Sequence, residues 1–119
     1  MLKKPYRLRK NKEIKKVIEN GLSVFNKEIG IKFIKNNLLN SRFCFIVSSK
    51  IDKRATVRNK IKRRLREIIR QNLEKIKPGF DIVIFAKVGI KDLDFFQLKE
   101  KLEKLLKKSK LFKAVDNFS

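Results

Sequence analysis

Histidine is absent from this 119-residue chain, and cysteine occurs once, at Cys44. Without histidine there is no His-ligated zinc site, no histidine general base and no Ser-His or Cys-His pair. A single cysteine closes no disulfide within the chain, which fits a reducing compartment. Cys44 lies in the apolar run FCFIV and reads as a small buried hydrophobe rather than a nucleophile. No apolar run approaches the roughly 18 residues of a membrane span. The basic start MLKKPYRLRK lacks the apolar segment of a signal peptide, so a cytoplasmic location is expected. Acids are also few: 12 against 33 lysines and arginines. They are scattered, mostly among lysines, and show no cluster suited to a pair of metal ions.

What remains is a formal charge of +21, spread along the whole chain, on a sequence that is 42% hydrophobic. That apolar share supports one packed domain with a modest core. So large an imbalance opposes compaction through self-repulsion, and it points first to a polyanion, most often nucleic acid. A merely soluble, supercharged surface is the plainer alternative.

Periodicity divides the chain. Residues 1–10 are basic and expected to be irregular. A helix is predicted over 12–20, capped by Asn11 and stopped by Gly21. IGIKFIK, 29–35, alternates as a strand, with Ile29, Ile31 and Phe33 on one face and Gly30, Lys32 and Ile34 on the other. Residues 36–41 read as a turn. RFCFIVS, 42–48, is apolar on both faces, as expected of a central strand. A strand near 22–26 is weakly signalled. A long helix is predicted from Val57 to about Ile76, with Thr56 as N-cap and KPG at 77–79 as its end. FDIVIFA, 80–86, is another buried strand. Asp94 can cap a last helix carrying Phe95, Leu98, Leu102, Leu105 and Leu106. The tail after about Lys110 is expected to fray.

The long helix holds the densest charge. In RNKIKRRLREIIR, 58–70, seven of thirteen residues are basic and one is acidic. On a helical wheel Val57, Ile61, Leu65 and Ile68 gather on one side. Asn59, Lys62, Arg63, Arg66 and Arg70 gather roughly opposite, and Lys60 and Arg64 extend that surface. Arg58 and Lys60 occupy the first turn, where the macrodipole favours acids. Arg58, Lys62, Arg66 and Arg70 are spaced i, i+4, where each like-charge pair costs about 0.2–0.5 kcal/mol. A bound polyanion reverses the sign of both penalties. Phosphates could sit at the exposed N–H groups of the helix start, beside arginine forks. No second short helix precedes this one, which argues against a helix-turn-helix DNA reader and weakly for RNA.

RATVRNKIKRRLRE resembles the signature of the protein subunit of bacterial ribonuclease P. The pattern is filled by Ala55, Arg58, Asn59, Lys60, Ile61, Lys62, Arg63, Leu65 and Arg66. YRLRKNKEIKKVIENG, RFCFIVSSK, DIVIFAK and LLKKSKLF fall in matching order, so the resemblance covers about residues 6–112. Asp52 departs from it, three residues before the alanine, where an apolar residue is usual.

The resemblance implies a single RNA-binding domain over 1–119, with a core at about 6–112 and a flexible basic N-terminus and C-terminal tail. It implies a compact α/β sandwich: a central mixed sheet of about four strands, an N-terminal helix, the long basic helix in a left-handed βαβ crossover, and a C-terminal helix. Sequence physics alone favours the right-handed crossover. The implied function is to bind the catalytic RNA subunit and the 5′ leader of precursor tRNA, assisting Mg²⁺-dependent endonucleolytic removal of that leader. Chemistry, and the Mg²⁺, would belong to the RNA. No protein metal site, small-molecule cofactor or membrane partner is expected. Arg58, Asn59, Lys60, Lys62, Arg63, Arg66 and Arg70 would bind RNA. Ile14, Ile18 and Lys32, with Cys44, Ile46 and Ser48 on the floor, would form the leader cleft. Relatives commonly carry aromatics at the first three positions, so leader binding here would lean more on charge. Ile14 and Ile18 could equally be core. Rival readings are a ribosome-associated or other structured-RNA-binding protein, a DNA-binding protein and a free-standing nuclease.

Overall fold

The computed structural model describes residues 2–114. Its elements run α1 (Asn11–Asn20), β1 (Leu22–Phe25), β2 (Ile29–Lys35), β3 (Arg42–Ile46), α2 (Ala55–Asn72), β4 (Phe80–Ala86) and α3 (Phe95–Lys108). The strands form one mixed sheet in the order β1-β2-β4-β3. β1–β2 and β2–β4 are antiparallel, and β3–β4 is parallel, joined through α2. This is the α/β class expected.

Strand alternation sorts the side chains into two layers. Ile29, Ile31, Phe33, Phe43, Ile82 and Ile84 face α2 and α3 in the main core. α2 adds Ile61, Leu65, Ile68 and Ile69, and α3 adds Leu98, Leu102, Leu105 and Leu106. On the other face, among the described residues, α1 covers part of the sheet with help from Leu8 of the N-terminal segment. There Val17, Val83 and Leu8 form a small buried cluster with Ile14, Ile34, Cys44 and Ile46 against it. Arg42 fixes α1 to this face. Its guanidinium pairs with Asp81 at 2.7 Å and Glu13 at 3.0 Å, which raises its pKa further.

Several expectations need correction. β3 is an edge strand, not a central one, and β4 is central. β3 is apolar on both faces because Phe43 and Phe45 pack in the main core and Cys44 and Ile46 pack against the small cluster, and packing on the faces says nothing about edges. The N-terminal segment shields its outer edge. Arg7 pairs with Phe43, the Leu8 N–H donates to the Phe43 carbonyl at 2.8 Å, and Leu2 and Leu8 are buried. Leu2 and Leu8 therefore dock this segment on the sheet where an irregular stretch was expected, with a 3₁₀ turn at Lys4–Tyr6 between them.

α1 starts one residue early, so Asn11 lies inside it and Lys10 stands at the cap. Gly21 does end it, at φ −76°, for want of space. A Cβ there would meet the Val17 carbonyl at 2.5 Å and the Phe33 carbonyl at 2.9 Å. α2 begins at Ala55, not after Thr56, and ends at Asn72 rather than Ile76. The buried Asn72 side chain donates to the Ile68 carbonyl and to Glu103 on α3, and a 3₁₀ turn follows. Asp94 caps α3 as expected, in a reciprocal box with Gln97. The tail does not fray at Lys110. Leu111 is buried and Phe112 bridges to Ile76. Anything expected of the tail past 114 lies outside the described residues.

Candidate nucleic-acid interface

Two surfaces meet at the β3 edge: the cationic back of α2 and the half-open face of the sheet. α2 buries its apolar stripe on the main core, which turns Asn59, Lys60, Arg63 and Arg70 outward, exposed. Arg58, Lys62, Arg64 and Arg66 are half-buried. These cations are not equivalent. The Arg58 guanidinium donates to the carbonyls of Asp52 at 3.0 Å and Lys53 at 2.8 Å, bracing the loop before the helix. Arg70 is held by Glu67 at 2.7 Å, and that pairing draws the Glu67 carboxyl below its ordinary range. Lys60, Lys62, Arg63, Arg64 and Arg66 make no salt bridge to the described residues.

The loop before α2 is built around the departing residue. Asp52 is buried and accepts from the Arg54 backbone N–H at 2.8 Å and from its guanidinium at 2.9–3.0 Å. Lys91 adds a contact at 3.0 Å. Arg54, then Lys91, hold the Asp52 carboxyl far below the usual carboxylate range. The aspartate thus replaces apolar packing with a local ion pair that sets the first turn of α2.

On the open face, Ile18 from α1, Lys32 from β2, Ile46 from the end of β3, Ser48 just beyond it, and Val83, Phe85 and Ala86 from β4 line one groove of about 300 Å³. Four of the five sequence-predicted cleft residues, Ile18, Lys32, Ile46 and Ser48, meet there. Ile14 does not. It is half-buried and, like Cys44 and Ile46, packs against the small cluster. Burial pushes the Cys44 thiol upward, opposed by the nearby Lys62, in keeping with a hydrophobe rather than a nucleophile. The Lys32 ammonium donates to the Ile18 carbonyl at 3.1 Å, tying the groove's cation to its α1 wall.

A profile of the Ribonuclease P family matches residues 2–110. The chain belongs to the ribonuclease P protein family. The ribonuclease P protein component of Caldanaerobacter subterraneus subsp. tengcongensis is 40% identical over 112 residues, covering 94% of this chain and 96% of that relative. That of Clostridioides difficile is 39% identical over 103 residues, covering 86% and 90%. The fold matches the ribonuclease P protein of Staphylococcus aureus with a TM-score of 0.84, at 32% identity over 91% of this chain and 98% of that one. For the Thermotoga maritima protein the TM-score is 0.79, at 37% identity over 86% and 96%.

For this member of the ribonuclease P family, sequence reasoning missed one groove residue of consequence. Phe85 stands opposite Gly30 in the β2–β4 register, and its ring covers the place where a Cβ at residue 30 would be. Glycine lets the aromatic lie against the backbone as groove floor. The signal was present in the alternation, since Phe85 shares the parity of Val83, but its meaning depends on pairing with Gly30.

Proposed function

We propose that this chain is the protein component of a ribonuclease P ribonucleoprotein. It binds the catalytic RNA subunit through the outer face of α2 and holds the 5′ leader of precursor tRNA in the groove between α1 and the open sheet. The observation that supports the reading is the meeting of Ile18, Lys32, Ile46 and Ser48 with Phe85 in one groove, in a protein whose α2 carries five cations, Lys60, Lys62, Arg63, Arg64 and Arg66, with no salt bridge among the described residues. A groove with one aromatic floor, aliphatic walls and a positioned ammonium suits an unpaired nucleotide. The base stacks on or packs against apolar surface, and the phosphate meets charge.

The chain acts by positioning. Its groove would fix the leader relative to the RNA, and positioning alone can supply a large part of a rate. Mg²⁺ would belong to the reaction through the RNA. Among the described residues no group of three or more Cys, Asp or Glu side chains could hold a metal ion. The metal would sit on RNA oxygens. No helix among the described residues is long and apolar enough to cross a membrane, and we place the particle in the cytoplasm.

The test is selectivity. Lys32→Ala and Phe85→Ala should each weaken binding of precursor tRNA to the assembled particle, by about 5- to 100-fold for the stacking residue. Mature tRNA, which lacks the leader, should bind as before. Equal losses for both tRNAs would refute the leader groove and favour a general structured-RNA binder.

A further inference from the structure

The N-terminal segment runs beside β3 as a short added strand. Arg7 is paired in parallel with Phe43, and Leu8 is buried in the small cluster on the α1 side. Side chains alternate along an extended chain. Leu8 therefore turns to the α1 side, and Arg7 and Arg9 share the α2 side. There Arg7, Arg9 and Arg66 of α2 line one groove of about 280 Å³ over Phe43, Cys44 and Phe45.

No acidic residue lines this groove. That separates these arginines from Arg42, Arg54 and Arg70, each of which pairs with a carboxylate. Arg7 uses its Nε on the Leu2 carbonyl at 2.8 Å, which fixes the side chain and leaves its terminal nitrogens for another acceptor. Burial of Leu2 and Leu8 anchors the backbone on both sides of Arg7. Converging guanidinium forks over an apolar floor are suited to phosphodiester oxygens. Arg66 belongs to both this groove and the basic strip of α2, so the two surfaces are continuous.

We propose that Arg7, Arg9 and Arg66 form a second phosphodiester-binding site, which grips the backbone of the catalytic RNA where it passes from α2 across the outer edge of the sheet. This rests on the functional reading above. The site adds the N-terminal segment to the RNA-binding surface and gives its docking on β3 a purpose beyond covering an edge.

The experiment measures binding of the full chain to a bacterial ribonuclease P RNA across a salt series, for wild type, Arg9→Gln, Arg66→Gln and Lys108→Gln. Arg9 is exposed and Lys108 lies at the end of α3, away from the groove. Thermal unfolding of each variant checks folding, and Arg9→Lys restores charge without the fork. Arg9→Gln and Arg66→Gln should each weaken binding roughly tenfold. Each should also make the log–log salt slope shallower by about 0.7–0.9. Arg9→Lys should recover the slope but only part of the affinity, and Lys108→Gln should match wild type. Unchanged affinity and slope in a wild type that binds the RNA would overturn the site. So would an equal loss in Lys108→Gln, which would mean diffuse charge, or a loss confined to precursor tRNA. Failure of wild type to bind the RNA at all would instead remove the functional reading beneath it.

Discussion

Asp52 is where single-residue chemistry bears most on the interface. Its carboxylate gathers the backbone and guanidinium of Arg54 and the ammonium of Lys91, one turn before the basic helix. Its folded pKa is lowered, so its contribution to stability is present above the ordinary carboxylate value near about 4. That contribution is lost as pH falls below this value. Asp52→Asn should therefore lower the melting temperature at pH 7, and the gap to wild type should close as pH falls from about 4. A gap that persists unchanged to about pH 2.5 would contradict the ion-pair role. At this scale the sequence was partly legible. Asp52 stood out as a departure, but its partner Lys91 is 39 positions away in sequence and is brought near only by the fold. Phe85 was hidden for the same reason, since a strand's parity is readable alone and its facing glycine is not.

At the scale of elements, the basic helix carries the account. Arg70 is matched by Glu67 and Arg58 is partly committed to the backbone before the helix. Lys60, Lys62, Arg63, Arg64 and Arg66 make no salt bridge among the described residues, and these are the cations we propose for RNA. If the surface neutralises about six phosphates, the log–log salt slope for the catalytic RNA should be about −4 to −5. Arg63→Ala should weaken that binding and make the slope shallower by nearly one. A slope near zero in wild type would contradict the electrostatic reading. β2 and β4 match their predicted bounds, because alternation and the following Asn36 and Asn37 delimit β2 locally and Pro78, Gly79 and Gly89 bracket β4. The end of α2 was misjudged because a side chain, Asn72, closes the helix by reaching α3. The rank of β3 in the sheet depends on which strands pair, and no local pattern carries that.

Across the whole molecule, function follows from unequal covering of one sheet. Two helices and most of the core occupy one face, and one ten-residue helix covers part of the other. The uncovered remainder is the groove, with the Lys32 ammonium on its wall. Composition disclosed the polyanion partner, and the spacing in α2 disclosed the family. The groove itself appears only when α1 is laid across β2 and β4. The central claim is that this chain enables an RNA to cut precursor tRNA and does no cutting itself. The most direct test adds purified protein to a bacterial ribonuclease P RNA at low Mg²⁺ and follows cleavage of precursor tRNA. Cleavage at the mature 5′ end only when both are present is the predicted result. Cleavage by the protein alone, or none with both present while the protein still binds the RNA, would contradict it.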